Sequence, residues 1–555
     1  MPILVATKKP SSTLMASISG HIILWPIKMV RWKYSLYPKE LETVSMKNKV
    51  LSYHEYIDSM KISNMNITTK QDAPQPIPTK GFFKTLLGNK IMLTIFLIIL
   101  AFGISSKLYN LDSPKDFYFD EVYHGFTASV ILHGDKQAYD PWAKSPENRA
   151  FEWTHPPLSK LIMAGMMGIF GENAFGWRIG SVIFGTLGII ATAVLAFEFF
   201  GSLSVALTAM GLLSLESLFL TQSRVAMNDS YLVFFILATF IAYVRWRKSP
   251  LSLKYLYLTG LGLGLALATK WTTLYLFIII GIDLLARACS GLTLKVLLIE
   301  NIRHLLWKLL ARLDALNELP RYPFKTHSKN RSSSSLKPVF SPELRLDIIW
   351  ALGLIPLLIY LASYTQYFYM GYDWNQFVEL QKQMWWYHSG LKATHSYQST
   401  PWQWIIDLRP VFMYVDTSVP DKVAAIYNLG NAVILYFGFF AVLWNLWRLV
   451  FEKSERAWQT SFILFAYFMF WVPWLFSPRM MLFYHYLPAV PLLCIMLAVW
   501  LERLRDSQSP RAHGLRLVIL GAALLWFVLF YPHNTGMYLK QGFMDSLYYA
   551  LPSWR

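Results

Sequence analysis

Charge is scarce in this sequence, and acidic charge is scarcest. Only 15% of the 555 residues are charged, with 33 acidic against 51 basic side chains and a formal net charge of +18. Soluble domains rarely combine so little charge with 55% hydrophobic and 16% aromatic residues. Cysteine is almost absent: Cys289 and Cys494 have neither disulfide nor metal spacing. No strand pattern precedes the glycine run Gly260, Gly262 and Gly264, which excludes a nucleotide loop and leaves close packing in a membrane helix. The positive balance is better explained by Lys and Arg retained in cytoplasmic loops, facing anionic headgroups, than by nucleic acid, and no nucleic-acid partner is expected.

What the sequence has in abundance is long apolar runs, and these predict a polytopic, all-α membrane protein. Residues 1–85 differ from the rest. "GHIILWPI" is too short to cross a bilayer, and "KQDAPQPIPTK" is a Pro-rich linker, so this part is expected to be a poorly ordered cytoplasmic leader, with Met46 an alternative start. The first span, about 91–106, follows Lys80, Lys84 and Lys90, which places the N-terminus inside. Further spans are predicted near 178–198, 204–222, 230–246, 346–368, 426–447, 459–476, 482–500 and 514–532. The basic stretches "RWRKSPLSLK" and 288–345 both belong inside, so two short spans between them must meet at "ATKW", around Lys270; a re-entrant hairpin is the other reading. The total is about eleven crossings. The chain divides into the leader, a membrane half 86–287 with outer loop 107–177, a basic cytoplasmic segment 288–345, a second membrane half 346–535 with outer loop 369–425, and an outer tail 536–555.

This topology gathers Asp120, Glu121, His155, Lys160, Arg178, Arg224, Asp229, Lys270, Arg479 and His485 at or near one membrane face. A charge inside hydrocarbon costs several kcal/mol, so sequences keep such residues where they pair or act. The mixture suits a lipid-phosphate glycosyl donor: cations at span ends hold the phosphate, which leaves without a general acid, and one carboxylate takes the proton of the acceptor hydroxyl. A retaining hydrolase would instead need two carboxylates about 5 Å apart. Neighbouring side chains in an extended segment diverge, so Asp120 and Glu121 take different jobs, Asp120 as base and Glu121 as a positioning or metal-linked group.

A family resemblance rests on several ordered motifs: "FDEVYHG", "THPPLSKL", "GWRIGSVIFGTL", "QSRVAMNDSYLVFF", "ALATKWTTLY", "YHSGLKATHSYQSTPWQWIIDLRPV", "YNLGNAVIL" and "SPRMMLFYHYLPAVP". Together these resemble the protein O-mannosyltransferases that use a polyprenyl- or dolichyl-phosphate mannose donor, within the GT-C glycosyltransferase architecture, over about residues 85–535. The resemblance implies inverting transfer of mannose to Ser or Thr of translocated proteins, with Asp120 as base and Arg178 near the donor. His155, Lys160, Lys270 and Arg479 are expected on the donor or its phosphate. Arg224, Asp229, His388 and His485 are candidates for substrate contact or for structure. Eukaryotic members carry a lumenal β-trefoil insert that has no counterpart here. That implies the shorter bacterial type, in the plasma membrane, with an undecaprenyl-type carrier, acceptors near the secretion translocon, and a homo- or hetero-dimer as an open question. "LGNA" has Ala432 where the family pattern has proline.

Other readings stand beside these. Asp120 and Glu121 could be a helix N-terminal charge pair. Arg178 and Arg224 could anchor headgroups, and Arg224 could pair with Asp229. Trp385, Trp386, Trp402 and Trp404 form an interfacial belt more readily than a sugar platform. No compact cluster has metal-ligand spacing, so no metal site and no cofactor is assigned, with a divalent metal left open. The rival functions are a GT-C transferase moving another sugar to a lipid or glycan, and a polyprenyl-lipid transporter or flippase.

Overall fold

The structure, a computed structural model, describes residues 81–288 and 342–554 apart from 391, 453–455, 478 and 550. The expected leader up to residue 80 and the basic segment from 289 to 341 lie outside the described residues. Apolar runs become helices because hydrocarbon offers the backbone no other hydrogen-bond partner. Among the described residues, nine helices are long and apolar enough to cross a membrane: Lys90–Leu108, Ala174–Phe200, Asp229–Lys248, Trp271–Ala288, Leu346–Ser363, Ala432–Phe451, Ala457–Phe476, Phe483–Asp506 and Pro510–Thr535.

One of the expected crossings is shorter than the sequence suggests. The run 204–222 is broken into Leu203–Ser214 and Ser217–Gln222. Glu216 makes the break, its carboxylate accepting from the Phe219 amide at 2.6 Å as the N-cap of the second piece. Twelve residues rise only about 18 Å, well under a bilayer core. The first of the paired short spans is Leu253–Leu267, and the chain is interrupted around Lys270 before the next helix. A further short apolar helix, Leu158–Phe170, stands within the expected outer loop. The glycine run packs helices closely: a Cβ on Gly260 would overlap the carbonyl oxygen of Ala351, one on Gly262 the Thr239 side chain, and one on Gly264 the Ile359 side chain.

Strands also occur, which the all-α expectation omits. β1 (Val411–Asp416), β2 (Lys422–Asn428) and β3 (Leu539–Lys540) form an antiparallel sheet in the order β1-β2-β3. Two short runs rich in β-branched, aromatic and other apolar residues, "VFMYVD" and "KVAAIYN", on either side of a Pro- and Asp-containing turn produce the β1–β2 hairpin. Because 426–428 belong to β2, the next helix starts only at Ala432. Asn431 caps it, accepting from the Ile434 amide at 3.3 Å. Ala432 thus occupies the first helical position, where proline is tolerated but not required, and the departure from the family pattern leaves the helix start intact. The stretch expected to be a tail is folded: after the left-handed Gly536 it supplies β3 and the helix Gln541–Leu547. Met544, Tyr548 and Trp554 bury themselves against Ala425, Tyr427 and Phe530.

Arg224 anchors the end of the first span. Its guanidinium donates to the carbonyls of Lys107 and Tyr109, both at 2.7 Å, and reaches those of Ser106 and Asn110 at 3.4 Å. These are carbonyls that a helix C-terminus cannot satisfy by itself. The Ser106 carbonyl also accepts the Tyr531 hydroxyl and that of Asn110 the Ser113 amide, so Arg224→Met orphans those of Lys107 and Tyr109 and is expected to cost on the order of 2–4 kcal/mol, read as a lowered Tm of the detergent-solubilised protein. Arg224→Lys recovers only part of the loss, because an ammonium lacks the planar fork.

Candidate active site

Asp120 stands at the start of the helix Glu121–Leu132, but its side chain makes no capping bond there. The preceding residue, Phe119, has φ of 51°, a left-handed conformation that costs a bulky residue on the order of 1–3 kcal/mol. Strain of this kind persists where surrounding contacts enforce it, and here it aims the next residue. Asp120 Oδ2 accepts the Tyr484 hydroxyl at 3.2 Å. Tyr484 comes from the short 3-10 segment Phe483–Ala489, 364 residues along the chain. Lys270 Nζ lies 5.9 Å from the centre of the Tyr484 ring and donates to Asp229 Oδ1 at 3.0 Å. Asp229 Oδ2 has no hydrogen-bond partner among the described residues. Burial raises the Asp120 carboxyl to about 7; the Tyr484 hydroxyl and Lys270 oppose the rise, while Asp229 and Glu152 add to it.

Asp229 and Lys270 also line a small pocket together with Tyr275, Trp474 and His485, among others. His485 stacks on Tyr484 at 4.8 Å. Arg479 donates to His388 Nδ1 at 2.5 Å, and His388 Nε2 lies 2.7 Å from the Thr154 carbonyl. A carbonyl only accepts, so Nε2 carries the imidazole proton and Nδ1 receives Arg479. Burial, reinforced by Arg479, lowers His388 to about 4 and keeps it neutral. The other N–H groups of Arg479 have no protein hydrogen bond among the described residues.

Glu152 organises a second cluster. It pairs with Lys160, with His155 Nδ1 at 2.9 Å and with His124 Nδ1 at 3.7 Å. Burial would raise this carboxyl, but Lys160 and the two histidines outweigh it and hold it well below the usual range. Lys160 also donates to the carbonyls of Glu152 at 2.6 Å and His155 at 2.9 Å. Its three N–H groups are therefore spent inside the loop, so the expected phosphate contact gives way to a structural role. His155 likewise bridges Glu152 and Thr154, with its ring 5.0 Å from His388. Among the described residues no three His, Cys, Asp or Glu side chains are grouped to hold a metal ion, and an ammonium already occupies Glu152. These residues do not fit a resident divalent ion.

Glu121 and Arg178 form a third, separate cluster. Arg178 Nε donates to Glu121 Oε1 and Nη2 to Oε2, both at 2.8 Å, with both side chains buried. Nη1 donates to the carbonyls of Leu111 at 3.0 Å and Pro114 at 2.8 Å, and Nη2 to that of Asp116 at 3.1 Å. All five guanidinium donors are used, so Arg178 has none left for a donor phosphate, contrary to expectation. Glu121 further accepts from the Ala226 amide at 2.9 Å. Arg224 does not pair with Asp229, whose partner is Lys270. Trp385, Trp386 and Trp402 are exposed as a belt requires, but Trp404 is buried, bonded to Ser399 Oγ at 2.9 Å.

Three residues of this site carry no periodic or spacing signal that singles them out: Tyr484, Glu152 and His124. Tyr484 lies inside "SPRMMLFYHYLPAVP" beside His485, and His124 inside "FDEVYHG". Only long-range packing reveals which members of these motifs converge.

Comparisons with known proteins bear on the same motifs. Residues 95–327 match the family described as dolichyl-phosphate-mannose-protein mannosyltransferase, and residues 373–554 match the C-terminal four TMM region of protein-O-mannosyltransferase. The chain is 26% identical over 504 residues to the polyprenol-phosphate-mannose–protein mannosyltransferase of Mycolicibacterium smegmatis, covering 82% of this chain and 92% of the relative. It is 26% identical over 449 residues to the protein of the same name from Corynebacterium glutamicum, covering 72% and 81%. Among solved structures, the S. cerevisiae protein O-mannosyltransferase Pmt1-Pmt2 complex bound to the sugar donor superposes with a TM-score of 0.60 at 14% identity. That superposition covers 84% of this chain and 94% of the other and shows a common GT-C fold.

Removing one partner of a buried ion pair leaves the other uncompensated. Glu121→Ala is therefore expected to destabilise the fold by about 3–5 kcal/mol, visible as a lowered Tm in detergent. An unchanged melting curve would remove the pair from its structural role.

Proposed function

The chain belongs to the protein O-mannosyltransferase family, and we propose that it transfers mannose from a polyprenyl-phosphate-mannose lipid to Ser and Thr hydroxyls of polypeptides. Asp120 takes the proton of the acceptor hydroxyl as that oxygen attacks the anomeric carbon. The sugar–phosphate bond breaks on the opposite face, which inverts the configuration, and the lipid phosphate departs with the bonding electrons. Phosphate is a good leaving group, so no general acid is needed. Lys270 and Arg479, the two site cations with N–H groups to spare, meet the charge that grows on the phosphate. His388 orients Arg479 through its Nδ1 lone pair.

The observation that carries this reading is the Asp120 carboxyl, raised to about 7 and held by Tyr484 within reach of Lys270. A general base works best when its pKa lies near the operating pH. The proposed setting is a plasma membrane with the N-terminus in the cytoplasm, the site and C-terminus outside, and acceptors arriving extended from the secretion machinery. Lys84 and Lys90 flanking the first span support that orientation. The yeast structure is of a Pmt1-Pmt2 complex, which supports pairing of this chain with a second copy or a relative.

Membranes holding the chain, given mannosyl-phosphoryl-polyprenol and a Ser/Thr peptide, are expected to add hexose units read by intact mass. Asp120→Asn is expected to lower the rate about 10²- to 10⁴-fold at unchanged protein level; full activity in that variant would remove the base assignment. A base must be deprotonated to act. The rate should therefore fall about tenfold per pH unit below about 7 and level off above it, and the residual rate of Asp120→Asn should lack that limb.

A further inference from the structure

Asp229 brings two carboxylate oxygens into the interior, and the protein uses one of them. Oδ1 accepts Lys270 Nζ at 3.0 Å, whereas Oδ2 is buried and has no hydrogen-bond partner among the described residues. Asp229 is only 2% exposed, so bulk solvent does not supply the missing donor. A buried carboxylate oxygen without a donor is destabilising, and a position that keeps one points to a ligand that completes it. Asp229 lines the small pocket it shares with Lys270, and so does Thr272, whose Oγ1 is likewise buried and unpartnered among the described residues. The aromatic side chains of Tyr275, Phe470 and Trp474 supply much of the remaining wall. Apolar walls with a few unsatisfied polar atoms fit a ligand that has both C–H faces and hydroxyls.

Lys270 and His485 tie this pocket to the base. Lys270 Nζ lies 5.9 Å from the ring centre of Tyr484, whose hydroxyl binds Asp120, and His485 of the pocket wall stacks on the same ring. Hydrogen-bond polarity then defines the ligand group. A carboxylate paired with an ammonium only accepts, so the ligand presents a donor to Oδ2. The phosphodiester of a sugar–phosphate lipid also only accepts, and the hydrogen-bond donors of that molecule are its sugar hydroxyls. The acceptor hydroxyl goes to Asp120 and, with inversion, approaches the sugar from the face opposite the phosphate. Asp229 instead holds Lys270, the cation assigned to the phosphate, and so stands on the phosphate side. The sugar hydroxyl closest to that phosphate is the one on the carbon next to the anomeric carbon. We propose that Asp229 Oδ2 accepts the 2-hydroxyl of the donor mannose and thereby selects mannose against its 2-epimer, glucose. Axial and equatorial hydroxyls at that carbon point in different directions, and one fixed acceptor serves only one of them. The hydroxyl becomes a stronger donor as positive charge develops at the anomeric carbon, so the contact acts on kcat/KM and not on binding alone.

The inference rests on the mannosyltransferase reading, and one series of donors separates the two. The full chain in nanodiscs is given a Ser/Thr peptide and either mannosyl-phosphoryl-polyprenol, its 2-deoxy, 4-deoxy or 6-deoxy analogue, or the glucosyl analogue. Rates are taken well above the pH at which Asp120 loses its proton, so that any effect of Asp229 on that group drops out. The unmodified chain is expected to lose about 10- to 100-fold in kcat/KM with the 2-deoxy donor, the worth of one charge-assisted hydrogen bond. Asp229→Asn keeps the shape and a carbonyl oxygen for Lys270 but makes only a neutral hydrogen bond. In that variant the 2-deoxy penalty is expected to shrink about 5- to 10-fold, with the 4-deoxy and 6-deoxy penalties unchanged. The intrinsic reactivity of the 2-deoxy donor is common to both proteins and cancels in the comparison. A 2-deoxy penalty that is equal in the two proteins confines Asp229 to holding Lys270 and overturns the proposal while leaving the transferase reading in place. Should the variant fold poorly, equal use of mannosyl and glucosyl donors by the unmodified chain overturns it as well. A peptide that gains no mannose from the unmodified donor overturns both readings.

Discussion

The carboxylate of Glu121 and the guanidinium of Arg178 are buried together where the first loop meets the second long helix, and the geometry around Asp120 follows from that pair. Arg178 binds three loop carbonyls as well as the acid, which draws residues 111–121 into one rigid turn. Phe119 is then forced into a left-handed conformation, and the neighbouring carboxylate is directed at Tyr484 instead of capping its own helix. Adjacent acids thus serve two ends. Glu121 pays its desolvation with a full set of partners, whereas Asp120 has too few and so keeps a raised pKa.

The same distinction sorts the basic residues. Arg178, Arg224 and Lys160 spend their donors on loop and helix carbonyls that hydrocarbon would otherwise leave unpaired. Among the described residues, Lys270 and Arg479 make one protein hydrogen bond each and retain the rest. A lipid phosphate arriving at the interface would find these two, and a neutral histidine keeps Arg479 pointed without adding repulsion. Charge at a membrane face is therefore no guide to ligand binding until each donor is counted.

The small sheet and the folded C-terminal stretch pack against one another in a hydrophobic cluster of their own. The C-terminal residues complete the sheet by pairing Leu539 and Lys540 with Val423 and Lys422, and they seal its far side with Tyr548 and Trp554. A tail with that much aromatic surface gains more by packing than by remaining in water.

The sequence by itself determined the membrane class and the position of most spans, because hydropathy acts over local windows. It also pointed to Asp120, through an ordered set of motifs, and to Lys270 at the break between two short spans. Tertiary structure alone decided which charges are consumed. Whether Arg178 meets a phosphate or Glu121, whether Asp229 takes Arg224 or Lys270, and whether a tyrosine 364 residues away holds the base are questions of distance in space. The break at Glu216 and the strands at 411–428 likewise reflect neighbours that no local window contains. Hydrogen-bond satisfaction is a property of the assembled interior, so a donor's role stays undetermined until its partners are in place.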